Sequence, residues 1–186
     1  MNIGLWIVVI VAVVVVVALI AWWATQQRRS ARLRERFGPE YDRTVRDVGD
    51  ARRAEPLLAE RERRVQRFNI RPLTPEEQAR FTDAWRAAQA HFVDDPVAAI
   101  KEADALVADV MQRRGYPVGD FEQQAADLSV DHATVVENYR AAHAIAQRNN
   151  EGNANTEDLR QAMVHYRTLF ADLLEVREPE HMEVRQ

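Results

Sequence analysis

Cysteine is absent from the 186 residues, which excludes disulfides, zinc–thiolate sites and thiol nucleophiles. Serine occurs only at Ser30 and Ser129, and neither stands in the Gly-x-Ser-x-Gly turn of a serine hydrolase. Glycine is sparse, and no Gly-rich run resembles a phosphate-binding or dinucleotide-binding loop; Gly115 and Gly119 frame a turn instead. Charge is missing altogether from residues 1–27. No window alternates with the period of two that a half-buried strand requires, which points to an all-α chain.

What is present falls into three zones that the overall charge of −4 conceals. After the neutral start, residues 28–67 hold 13 Arg against 8 Asp or Glu, a net +5. Residues 68–186 hold 12 basic and 21 acidic residues, a net −9, and the three zones together return −4. An acidic C-terminal part argues against nucleic acid as a partner.

Residues 3–24 form an uncharged run of 22, of which 14 are Val, Ile or Leu. As a helix rising about 1.5 Å per residue it is roughly 33 Å long, enough for a hydrocarbon core of about 30 Å. At about −0.3 to −0.6 kcal/mol for each of those 14 side chains, insertion is favoured by roughly 4–8 kcal/mol. Trp6 stands near one end, and Trp22 and Trp23 at the other, where indoles favour the membrane interface. A cleaved signal peptide would carry basic residues before a shorter apolar stretch and a small-x-small site after it. Met1-Asn2 and Ala21-Trp22-Trp23-Ala24 offer neither. Arg28 and Arg29, followed by Arg32, Arg34 and Arg36, put the positive flank after the run. By the positive-inside rule the N-terminus is expected outside the membrane and the rest of this single-pass chain in the cytoplasm.

The expected organisation is a transmembrane anchor over 1–27, a basic helical stalk and linker over 28–72, an acidic helical bundle over 73–176 and a charged tail over 177–186. The stalk breaks at Gly38-Pro39, and Pro56 marks a second helix start or a kink. Three readings of the stalk stand side by side. It is a solvated spacer, or its arginines meet anionic headgroups at about 1 kcal/mol each. Alternatively, its thin stripe of Tyr41, Val45, Val48, Leu58, Val65 and Phe68 pairs with a second copy as a parallel homodimer.

Beyond the linker, Thr74-Pro75-Glu76-Glu77 has the form of a capping box with Pro at the first helical position. Phe81, Trp85, Ala88 and Phe92 follow on one face. Asp95-Pro96 repeats the start signal, with Val97, Ile100, Ala103, Val107, Val110 and Met111 expected inward and Gly115 closing the helix. Asp120 opens a short helix, and Ser129 or Asp131 is expected to open a longer one carrying Val135 to Ala146. Residues 149–155 read as a polar loop, and Thr156 begins the last helix. Four long helices and one short one are expected to pack as an antiparallel bundle.

No catalytic residue, metal ligand set or cofactor site emerges. The five histidines are His91, His132, His143, His165 and His181. The single Glu-x-x-His, Glu178 to His181, contains Pro179, so the di-iron pattern fails. His132 and His143 are 11 residues apart, about 16 Å along a helix, too far to share one metal. One surface remains a candidate for binding a protein partner. It is the turn holding Tyr116, Pro117, Asp120 and Phe121, with Asp131, His132, Tyr139, Arg140 and His143 on the following segment. The alternative is that Tyr116 and Phe121 plug the end of the bundle while Asp120 and Asp131 cap helices.

The stretches Arg36-Phe37-Gly38-Pro39-Glu40-Tyr41-Asp42-Arg43-Thr44-Val45 and Gly115-Tyr116-Pro117-Val118-Gly119-Asp120-Phe121-Glu122-Gln123 carry a resemblance, with Ser129-Val130-Asp131-His132 and Asn138-Tyr139-Arg140-Ala141-Ala142-His143. On these the chain resembles a family of uncharacterised bacterial, actinobacterial-type, single-pass membrane proteins, often labelled secreted. The resemblance covers most of the chain past the anchor and implies no reaction, cofactor or catalytic residue. Where the label and the arginine flank disagree, the flank favours the cytoplasm. The function expected is a membrane-tethered, non-enzymatic interaction or scaffold protein. The alternative is a membrane-surface or envelope-stress protein that binds anionic lipid through its stalk.

Overall fold

The computed structural model describes residues 3–117 and 119–175, apart from the side chains of residues 3–11, 13 and 22. Trp6 and Trp22 are therefore outside the described side chains, as is the charged tail 177–186. Among the described residues there are eight helices and no strand. The chain divides into two compact units, Met1–Leu58 and Ala59–Gln186.

In the first unit α1 runs Ile3–Phe37, α2 Pro39–Val48, and α3 begins at Ala51 and continues to Val65. α1 ends where Gly38 takes φ 46°, ψ −125°, and Pro39 opens α2 with its ring in the first turn. Gly49, left-handed at φ 82°, closes α2 by donating its N–H to the Val45 carbonyl at 2.8 Å. Asp50 starts α3, its carboxylate accepting the Arg52 N–H at 3.0 Å. Pro56 lies inside α3 rather than at its start. A helix absorbs Pro there by giving up one bond, the one that would have reached the Arg52 carbonyl. Leu33, Phe37, Tyr41, Ala54 and Leu58 are buried, so α1 has one buried face beyond residue 30. Its preceding stretch has a different character: Val14 to Val17, Leu19, Ile20 and Trp23 are 50–61% exposed. Among the described residues, no helix is long and apolar enough to cross a membrane.

The second unit holds α4 (Pro75–His91), α5 (Pro96–Arg114), α6 (Phe121–Leu128), α7 (Val136–Asn150) and α8 (Thr156–Leu173), a helical bundle. The Thr74 capping box forms: the Thr74 hydroxyl accepts the Glu77 N–H at 3.2 Å, and Glu77 accepts the Thr74 N–H at 3.0 Å. Asp95, Asp120 and Asn155 cap α5, α6 and α8 by accepting the N–H three residues on. α7 departs from expectation. Its N-cap is Val135, with no side-chain cap, and residues 129–135 are turns. Ser129 does not open α7; its hydroxyl donates back to the Ala126 carbonyl at 2.7 Å, finishing α6. Asp131 is drawn instead to the Tyr116 hydroxyl. Val97, expected inward, is 44% exposed, because it sits in the first turn of α5, at the rim of the apolar face.

The core is built from Phe81, Trp85, Ile100, Val107, Met111, Leu128, Ile145, Leu169 and their neighbours, with Trp85 stacked on Phe170 at 4.9 Å. Two polar ties fasten the helix ends. Buried Arg114 donates to the Leu173 carbonyl at 2.8 Å, answering one of the acceptors left open at the end of α8. Glu77 accepts both guanidinium nitrogens of Arg71, at 2.8 and 2.9 Å, and lies 3.0 Å from Arg113 Nε. The Arg71 hydrogen bonds, then the Thr74 N–H, hold the Glu77 carboxyl down at about 2. A carboxyl lowered on folding adds stability above its ordinary value near 4.5, and that stability is lost as pH falls toward 2. Glu77→Gln is therefore expected to be less stable at neutral pH and to show a flatter loss of stability between those two pH values. Urea unfolding of both proteins across that range measures it.

Candidate functional site

Two regions hold the residues singled out from the sequence. In the first unit, Trp23, Arg28 and Arg29 are all exposed on α1. Trp23 and Arg29 border a cavity of about 480 Å³ shared with Gln26 of α1 and Arg52, Glu55 and Pro56 of α3. Breaks at Gly38 and at 49–50, on either side of α2, return the chain so that α3 brings Arg52 to the same cavity as Arg29. Glu55 is buried and accepts the Tyr41 hydroxyl at 3.0 Å. Arg34 lies over the Tyr41 ring at 5.0 Å. Burial, then Glu55, pushes the Tyr41 phenol up, so it stays a donor and holds that carboxylate in place.

In the second unit the turn after α5 is split between core and solvent. Tyr116 and Tyr139 are buried, and Phe121 packs on the core partly covered. Pro117, Asp120 and Asp131 are exposed. His132, Arg140 and His143 are intermediate. The structure brings Phe121 onto His143 as parallel rings 3.7 Å apart and against Tyr139 at 4.8 Å. The Tyr116 hydroxyl donates to Asp131 at 3.4 Å, and His132 Nδ1 is in direct contact with Asp172. Arg140 pairs with Glu137 at 3.3 Å.

Four partners of these residues were not singled out from the sequence: Asp104, Gln124, Tyr166 and Asp172. Tyr166 donates to Asp104 at 2.6 Å, His143 Nδ1 lies 3.8 Å from the same oxygen, and Tyr139 donates to Gln124 at 3.1 Å. The signal for them was a tyrosine on an apolar stripe, since a buried hydroxyl has to find an acceptor. Which acceptor it finds is a matter of how the helices pack. Burial pushes the Tyr116, Tyr139 and Tyr166 phenols well above their ordinary value, with Asp131 adding to the first and Asp104 to the other two. All three therefore remain neutral donors.

This arrangement ties helices together across α5, α6, α7 and α8. His132 Nε2 and His143 Nδ1 are buried without a hydrogen-bond partner. A general base has to lie within about 3 Å of the proton it takes, and these nitrogens face protein. Among the described residues no group of three or more His, Asp or Glu is placed to hold a metal ion. A second cavity, about 430 Å³, is bordered by Arg71, Arg80, Phe81, Asp109, Gln112 and Arg113. Two of its three arginines are already committed to Glu77.

Comparison with protein-family models, with curated proteins and with solved structures finds no match.

Proposed function

We propose that the protein is a membrane-tethered interaction protein rather than an enzyme. Residues 3–24 cross the bacterial cytoplasmic membrane once, N-terminus outside, and the acidic bundle, its helices antiparallel, meets a protein partner in the cytoplasm. The observation that carries this reading is the exposure of Val14, Val15, Val16 and Val17 at 50–61%. Four successive residues of a helix point in all directions around its axis. A helix apolar on every side has no face for water and requires a lipid or protein surround. The uncharged run and the arginines that follow it supply the length and the orientation. Of the candidate surface, Pro117 and Asp120 in the turn and Asp131 after α6 are exposed and form the part offered to a partner. The acidic balance of the bundle suits a basic one.

Alkaline carbonate extraction of membranes, with protease treatment of intact spheroplasts, tests the tether and its direction. The expected result is retention in the carbonate pellet and a C-terminal part that is cut only after lysis. Release into the carbonate supernatant overturns the anchor, and digestion in intact spheroplasts reverses the orientation.

A further inference from the structure

We propose that the cavity between α1 and α3 is a binding site for one anionic glycerophospholipid, its phosphodiester held between Arg29 and Arg52. The inference rests on the membrane-anchor reading above and assigns it a specific lipid contact.

Position is the first argument. Trp23 is the last large apolar residue of the uncharged run, and Arg29 lies five residues past Ala24. Five residues of helix advance about 7.5 Å, which matches a headgroup layer of about 5–8 Å on each side of the hydrocarbon core. The cavity therefore opens at the depth of lipid phosphates.

Chemistry is the second. Some arginines of the first unit have neighbours within the chain: Arg34 lies over Tyr41, and Arg43 is 3.7 Å from Asp47. Neither the Arg29 nor the Arg52 guanidinium has a hydrogen bond or ion pair among the described residues, yet both border one cavity. Glu55, the carboxylate beside them, is buried and already accepts the Tyr41 hydroxyl. Two unpaired guanidinium groups across a small space recognise the oxygens of one phosphodiester. Trp23 and Pro56 line the same cavity and suit the glycerol backbone and the first methylenes of an acyl chain. An anionic glycerophospholipid such as phosphatidylglycerol suits the arginines and the apolar wall at once. A free phosphate would leave the apolar wall unused.

Full-length protein is reconstituted into phosphatidylcholine vesicles containing one part in five phosphatidylglycerol, extracted in mild detergent, and its co-purifying lipid identified by mass spectrometry. Phosphatidylglycerol is expected to be enriched over its vesicle proportion at about one molecule per chain. Arg29→Gln with Arg52→Gln is expected to lower that enrichment about tenfold. Arg53→Gln makes the same charge change at an exposed neighbour that does not border the cavity and should leave enrichment unchanged. Equal loss with Arg53→Gln, or no enrichment in the unaltered protein, overturns the site. Displacement of the lipid by millimolar inorganic phosphate alone overturns the lipid as its occupant. Each variant is also assayed for carbonate-resistant membrane retention and for its helical melting curve. Retention with lost enrichment means the anchor stands without the lipid, whereas failure of the unaltered protein to be retained removes the anchor itself. A double variant with a shifted melting curve is replaced by Arg29→Lys with Arg52→Lys. That pair keeps both charges, abolishes the forked contact, and should still lose most of the enrichment.

Discussion

If residues 3–24 lodge in lipid as proposed, Val14→Asp with Val15→Asp is expected to move the protein out of the membrane fraction. At the middle of a membrane helix each Asp costs about 2.5–3.5 kcal/mol, where each Val contributed about −0.3 to −0.6 kcal/mol. The pair therefore shifts insertion by roughly 6–8 kcal/mol, which is comparable to the whole gain of roughly 4–8 kcal/mol from the 14 aliphatic side chains. Carbonate extraction should show most of the double variant in the supernatant or removed by proteolysis. Val14→Leu with Val15→Leu should stay in the pellet. Both side chains are exposed and touch no buried core, so the helical unit past residue 59 should melt at an unchanged temperature. Unaltered membrane retention of the aspartate variant would show that the protein is held by something other than this run.

Gly115→Ala is expected to be the most damaging small substitution in the second unit. Gly115 ends α5 with φ 99°, a left-handed conformation that costs a residue with a Cβ about 1–2 kcal/mol. Space is a separate obstacle: a Cβ there would lie 2.4 Å from the Asn69 carbonyl oxygen and 3.0 Å from its carbon. Those are backbone atoms, and the strand of linker that holds them is fixed by the Arg71 N–H donating to the Arg114 carbonyl at 2.9 Å. Relieving the contact means giving up that bond, a further cost of about 1 kcal/mol. The total is about 2–3 kcal/mol, and at about 4 °C per kcal/mol the melting temperature falls by roughly 8–12 °C. Gly152→Ala provides the comparison. Gly152 is also left-handed, at φ 75°, but nothing lies within 4 Å of its added Cβ. Only the conformational cost applies, about 1–2 kcal/mol. Far-UV circular dichroism melts of the two variants separate the contributions. Equal losses would mean that Asn69 does not approach Gly115 closely.

Local chemistry made much of the helical plan legible. Thr74 with Glu77 announces a start because both halves of a capping box lie within four residues. Gly38-Pro39 announces a break because the reason for it is in those two residues. Where the deciding partner is distant in sequence, the reading fails. Ser129 and Asp131 both have the chemistry of a cap, but one is used by the end of α6 and the other by Tyr116, 15 residues away. Val97 fits the apolar period of α5, yet the period says nothing about where the neighbouring helices end. Of the candidate residues, Tyr116 in the turn and Tyr139 in α7 are buried, and their acceptors lie on other segments.

By itself, then, the sequence determined an all-helical chain, the helix starts and stops whose capping residues lie close by, such as Thr74, Asp95 and Gly115, and the succession of neutral, basic and acidic zones. These depend on neighbours within a few residues, on hydropathy and on counted charge. Only the tertiary structure decided that Arg52 comes to the same cavity as Arg29, that Asp104 serves both Tyr166 and His143, and that Gly115 must stay bare against Asn69. Those pairings span from 23 to 62 residues and depend on how the helices meet. No spacing along the chain encodes the angle and depth of such a meeting; packing sets both.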